Sequence, residues 1–286
     1  MIAARAGILS PFVLVVVMAV GAAGRSLSAQ TEPAYLRDRG PGVRTSVLAT
    51  YVREGELLVY PFYEYYSDRN LEYKPRELGY GNSLVDYRGR YHANEGILFF
   101  AYGVTRDLAL EFEGAVISAE IQTSADDTSS ARPARIRESG LGDVEGQIRW
   151  RFQRETENRP EFFTYFGTVF PLQKSRVLIG TQHWEYFAGI GLTRGFRWGT
   201  LTVRTAATYS ERVFDAGEYA IEWLKRLSPA WRVVAGIEGN QVDEISLLTE
   251  VQWSLGRHAV VKLNNAWGAT RNATDFAPEV GVLFSF

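Results

Sequence analysis

Within short stretches spread over most of this chain, charged side chains keep to one parity. In residues 244–255 the even positions hold Glu244, Ser246, Leu248, Glu250, Gln252 and Ser254, whereas the odd positions Ile245, Leu247, Thr249, Val251, Trp253 and Leu255 carry no charge. Successive side chains of a β-strand point to opposite faces, so such a stretch reads as a strand with one charged and one apolar face. The same sorting sets Val144, Gly146, Ile148, Trp150 and Phe152 against Asp143, Glu145, Gln147, Arg149 and Arg151. It sets Ala259, Val261, Leu263 and Trp267 against His258, Lys262 and Asn264, and it recurs around Arg204 and around Arg232 and Glu238.

One strand of this kind would suit a soluble sandwich, with its apolar face on a core and its charges in water. Repetition separates the two readings. From residue 56 onward the chain divides into segments of about 10 to 14 residues, the length tilted strands need to cross a bilayer. Twelve are found: 56–67, 92–104, 108–121, 140–152, 162–172, 184–196, 200–211, 217–227, 231–240, 244–255, 258–268 and 275–286. Charges of one parity then avoid hydrocarbon, where a midplane charge costs about 2–4 kcal/mol. The expected fold is all-β: a single transmembrane antiparallel up-and-down β-barrel of about twelve strands.

The last segment, DFAPEVGVLFSF, puts Phe276, Pro278, Val280, Val282, Phe284 and Phe286 on one face and Ala277, Glu279, Gly281, Leu283 and Ser285 on the other. Ending on an aromatic residue of the apolar face, it resembles the C-terminal strand of bacterial outer-membrane barrels. That resemblance implies two partners: outer-membrane lipids, and the barrel assembly machinery reading Phe286.

An even strand number puts both ends of the wall on one side, expected to be the periplasm. The connections there should be 106–107, 153–161, 197–199, 228–230 and 256–257, mostly short, while longer loops at 68–91, 122–139, 173–183 and 269–274 face outward. Three places strain the pattern. Residues 162–172 carry aromatics on both parities, 108–121 needs a bulge near Ile117, and Lys225 falls on the outward parity, where it could snorkel to the interface.

Upstream, residues 1–29 read as a cleaved signal peptide, with Arg5, an apolar run from Ile8 to Val20, and small residues from Ser26 to Ala29. Localisation in the outer membrane follows. Residues 30–55, rich in Arg, Gly and Pro and with little apolar material, are expected to be an irregular periplasmic lead-in to the barrel of residues 56–286; a plug inside the pore is the alternative. A formal charge of -2 gives no electrostatic case for nucleic acid, and the absence of Cys rules out disulfides and thiolate chemistry.

The inward parity collects carboxylates at Glu64, Glu111, Glu113, Asp143, Glu145, Glu185, Glu218, Glu222, Glu238, Glu250 and Glu279. It collects cations at Arg149, Arg151, Arg204, Arg226, Arg232 and Lys262. These are the candidate lumen-lining residues. They could sort solutes along a charged pore, or pair across a narrow lumen to hold it together. No cofactor, metal site or catalytic group is expected. The only histidines are His92, His183 and His258, none followed by the serine of a lipid hydrolase; Asp126, Asp127 and His183 in outer loops read more simply as solvated turns.

The stretch GLGDVEGQIRWRF from Gly140 to Phe152 resembles outer-membrane proteins of the phenol-degradation meta-pathway family, as do the turns around Arg106 and Pro229 and the terminal Phe286. This resemblance implies a porin-like channel admitting small, often hydrophobic or aromatic compounds. An outer-membrane lipid hydrolase and a plugged structural or assembly barrel are the alternatives.

Overall fold

The structure, a computed structural model, describes residues 32–286. The expected signal peptide lies outside the described residues. A single 3-10 turn, Ala34–Leu36, leads into a short hairpin of β1 (Val43–Arg44) and β2 (Tyr51–Val52). The strands that follow are β3 (Leu57–Tyr73), β4 (Tyr87–Gly103), β5 (Leu108–Gln122), β6 (Arg135–Gln153), β7 (Glu161–Phe170) and β8 (Glu185–Phe196). The remainder are β9 (Gly199–Ser210), β10 (Val213–Arg226), β11 (Trp231–Gly239), β12 (Ile245–Ser254), β13 (Ala259–Gly268) and β14 (Phe276–Ser285).

Strands β3 to β14 form one closed antiparallel barrel of twelve strands, as expected. Each pairs with the next, and β14 pairs with β3. Closure satisfies every strand edge, the condition for β-structure to sit in hydrocarbon. The ends of the wall meet: Leu57 N donates to Phe286 O at 3.1 Å and Phe286 N to Leu57 O at 2.9 Å. At this turn end the connections are 104–107, 154–160, 197–198, 227–230 and 255–258; the loop end carries the longer 74–86, 123–134 and 171–184. The loops expected at 68–91 and 122–139 are shorter than anticipated, because β3 and β4 stay paired as far as Tyr73 and Tyr87, and β5 and β6 as far as Gln122 and Arg135.

The outer face is apolar. Trp253 is 44% exposed, Val280 46% and Leu263 53%, while Glu250 and Lys262 on the opposite face are at most 2% exposed. Phe276 and Phe284 bound this belt on β14. Eight residues at about 3.4 Å each, tilted by about 40°, separate them by about 21 Å along the membrane normal, close to the ~25 Å apolar band of such barrels. Aromatic pairs mark both rims: Trp231 stacks on Trp253 at 5.7 Å at the turn end, and Trp267 lies 5.1 Å from Phe276 at the loop end.

The three strained places resolve in different ways. Strand β5 keeps its phase throughout, with Ile117 inward; the bulge lies instead in β6, where Gly142 and Asp143 together face Ala115. A Cβ on Gly142 would sit 2.6 Å from Ile117 Cδ1, so glycine is what lets the extra residue fit. In β7 the inward aromatics Phe163 and Tyr165 lie across glycines of β8: a Cβ on Gly191 would be 2.1 Å from Phe163 Cζ, and one on Gly189 would be 2.2 Å from Tyr165 Cζ. Lys225 reaches the rim, donating to Arg197 O at 2.9 Å.

Candidate functional site

Residues 38–52 do not form the expected lead-in outside the barrel. Val43 and Val52 are at most 1% exposed and pack on Leu58, Tyr60, Phe99 and Ala101, all on the inner face of β3 and β4. Hydrogen bonds to the wall run in every direction around this hairpin. Arg151 donates to Pro41 O and Gly42 O at 3.0 and 2.8 Å, Ser46 N to Glu111 at 3.0 Å, and Lys262 to Leu48 O at 2.9 Å. Arg44 pairs with Glu222. The hairpin therefore occupies the turn end of the lumen as a plug. Its two short strands pair with each other, and among the described residues its contacts with the wall are almost wholly side-chain mediated, apart from one parallel bridge between Glu54 and Gly103.

The physical reason is charge. The inward wall is richer in acids than in bases, and the plug brings Arg39 and Arg44 to it. Arg39 spans Glu155 and Glu161, both at 2.8 Å, with all three side chains essentially inaccessible. Burial works against the charge on Arg39, but Glu161, Tyr51 and Glu155 together outweigh it and hold the guanidinium above its ordinary pKa. Such buried pairs add little net stability, yet breaking one costs about 3–5 kcal/mol, so they specify where the plug docks. A cavity of about 340 Å³ remains between the plug and β10 to β14, lined in part by Arg226, Arg232 and Lys262.

Around the plug, two of the wall cations are paired with neighbouring acids. Arg149 Nε lies 3.0 Å from Glu111, and Lys262 lies 2.9 Å from Glu250. The Arg149 guanidinium also sits 4.6 Å from the Tyr165 ring centroid, with Nη1 and Nη2 lacking hydrogen-bond partners among the described residues. Farther from the turn end the pattern changes. Glu279, Glu64 and Glu95 are direct neighbours across β14, β3 and β4, and Glu113 faces Glu145 across β5 and β6. None of these five carboxylates has a cation within 4.0 Å among the described residues. The loop 171–184 folds inward over them: Ile179 is buried on Ala93 and Ala119, and Thr181 N donates to Asp143 at 2.7 Å. Under it lies a cavity of about 410 Å³ lined by Glu95, Glu113, Asp143 and Glu145. A second loop-end cavity, of about 350 Å³, is lined by Arg204, Glu218, Glu238 and Tyr165.

Of the expected lumen residues, Glu111, Arg149, Arg151, Glu222, Glu250 and Lys262 are buried near the plug, and Glu64, Glu113, Asp143, Glu145, Arg204, Arg232, Glu238 and Glu279 are partly buried. Sequence reasoning passed over Arg39, Arg44, Glu155, Glu161, Tyr60 and Phe163. The basic character of residues 37–53 (Arg37, Arg39, Arg44 and Arg53) beside an acid-rich wall was the available signal. The histidines stay apart. His92 is exposed, His183 pairs with Glu211, and His258 Nδ1 lies 3.1 Å from Ser285 O. Asp127 accepts from Tyr80 OH at 2.8 Å and Tyr73 OH at 3.2 Å, which ties its loop to the extended hairpin.

Comparison with solved structures places this architecture among outer-membrane barrels. An outer membrane channel from Pseudomonas putida F1 aligns with a TM-score of 0.58 at 13% identity, over 82% of this chain and 96% of that one. The translocator domain of the autotransporter NalP from Neisseria meningitidis gives 0.45 at 11%, covering 81% and 88%, and the Ralstonia pickettii toluene transporter TbuX gives 0.39 at 10%, covering 81% and 88%. The first alignment shows a shared fold; the other two are too loose to add to it. No family model and no curated protein matches the sequence, so the likeness to the phenol-degradation family stands on its own few residues.

Proposed function

We propose that this protein is an outer-membrane channel for small solutes, its turn end facing the periplasm and closed at rest by its own N-terminal segment. The observation that carries this reading is the contrast between wall and plug. The wall is a continuous hydrogen-bonded cylinder, whereas the plug is held by side-chain ion pairs, hydrogen bonds and a small apolar contact around Val43 and Val52, all of which can be released without unfolding the cylinder. The apolar outer belt supports a bilayer setting, and two cavities at the loop end support entry from outside. Among the small, often hydrophobic or aromatic compounds that the family resemblance implies, a charged interior favours those that also carry polar groups.

Single-channel recording in planar bilayers tests this. The mature chain should conduct weakly or in rare bursts, and a variant lacking residues 32–52 should conduct steadily. A deletion variant that folds and stays silent refutes passage and leaves a plugged structural barrel.

A further inference from the structure

Between plug and loop end, Arg204 on β9, Ala220 on β10 and Glu238 on β11 lie side by side in the wall. Cross-strand partners share a face, and Ala220 is 2% exposed, so this row points inward. Arg204 and Glu238 thus flank a small residue at one strand spacing each, with Cα atoms about 10 Å apart.

Both charges are under-partnered. The ion contact of Arg204 is a long one, 4.0 Å to Glu222, a carboxylate already engaged by Arg44 of the plug. Arg204 Nε is buried without a hydrogen-bond partner among the described residues. Arg204 and Glu238 do not meet within 4.0 Å; they line the same cavity of about 350 Å³, with Ala206 and Ala220 also in its lining. That volume is at the small end of ligand sites. Tyr165 supplies an apolar face there, its ring held over Gly189 by the Arg149 guanidinium 4.6 Å from its centroid.

We propose that this cavity binds a small zwitterion of the α-amino-acid type, its carboxylate on Arg204 and its ammonium on Glu238. A guanidinium takes a carboxylate through two parallel hydrogen bonds, and a carboxylate accepts from an ammonium. A simple anion would meet Asp68, Glu218, Glu238 and Glu244 in the same lining; a simple cation would leave Arg204 with only its long contact to Glu222. Only a solute carrying both charges neutralises both residues. This deepens the channel reading by naming its solute class, but binding is measured without passage, so either can fail alone.

The test uses the full mature chain in detergent and three probes, leucine, leucinamide and N-acetylleucine, titrated by saturation-transfer NMR. Leucine binds saturably, and each derivative binds about tenfold more weakly, the loss expected for one charged hydrogen-bonded contact at a partly wet site. Arg204→Gln abolishes the preference over leucinamide and keeps that over N-acetylleucine; Glu238→Gln does the reverse. Heat-shifted gel mobility verifies that each variant folds. The proposal is overturned if leucine shows no saturable binding, if the unaltered protein takes the three probes alike, or if folded variants keep both preferences.

Discussion

Removing the side chain that clamps the plug should expose it by a predictable factor. In Arg39→Met, Glu155 and Glu161 lose a cation 2.8 Å from each, in a place where all three side chains are at most 1% exposed. Breaking a buried pair from one side costs about 3–5 kcal/mol. Here Glu161 keeps Arg151 at 3.1 Å and Glu155 keeps Arg194 at 3.5 Å, which argues for the lower edge. About 3 kcal/mol corresponds to a shift of about 150-fold in the balance between docked and released plug. The chain has no cysteine, so Val43→Cys, at a position 1% exposed, gives a single thiol that reacts only when the plug is out. Maleimide labelling of Val43→Cys should then accelerate about 100-fold when Arg39→Met is added. A change below threefold, in protein whose gel mobility still shows a folded barrel, would refute the idea that ion pairs hold the plug.

Val280 lies midway between the belt aromatics Phe276 and Phe284, so Val280→Arg should destabilise the barrel in lipid vesicles by about 2–4 kcal/mol in urea titrations. No measurable loss would mean that this face does not meet hydrocarbon. Gly191→Val would drive a branched side chain into a ring already 2.1 Å from an ideal Cβ, and a loss of about 1–3 kcal/mol is expected; an unchanged unfolding midpoint would show that Phe163 does not lie across β8. In the turn 104–107, a hydrogen bond from Arg154, helped by Arg151, holds Asp107 below the ordinary carboxylate range. Its contribution to stability is therefore complete above about pH 4 and is lost as the pH falls through the lowered value. Asp107→Asn should flatten the pH dependence of the unfolding midpoint below about pH 4 relative to the unaltered protein, and an identical pH profile would remove the turn from the acid response.

The wall was legible because side-chain direction in a strand is local. Period two tells which of Glu250 and Val251 faces hydrocarbon without knowing any other strand, and the penalty on buried charge makes that choice visible in the letters themselves. Strand number, closure and the inward set followed from repeating this reading. Tertiary structure decided what depends on height and angle around the cylinder. Nothing near Arg44 in sequence announces Glu222, which it meets only because the hairpin docks inside the closed wall, and nothing near Phe163 announces Gly191, which the register of β7 on β8 sets opposite it. The choice between a lead-in outside the barrel and a plug inside it was open in the sequence for the same reason. Residues 38–52 hold few large apolar side chains, and the acids and the apolar patch that their hairpin meets exist only once twelve distant strands have closed. The extra residue of β6 likewise shows only against its partner, because a bulge is a mismatch between two strands and neither one carries it alone.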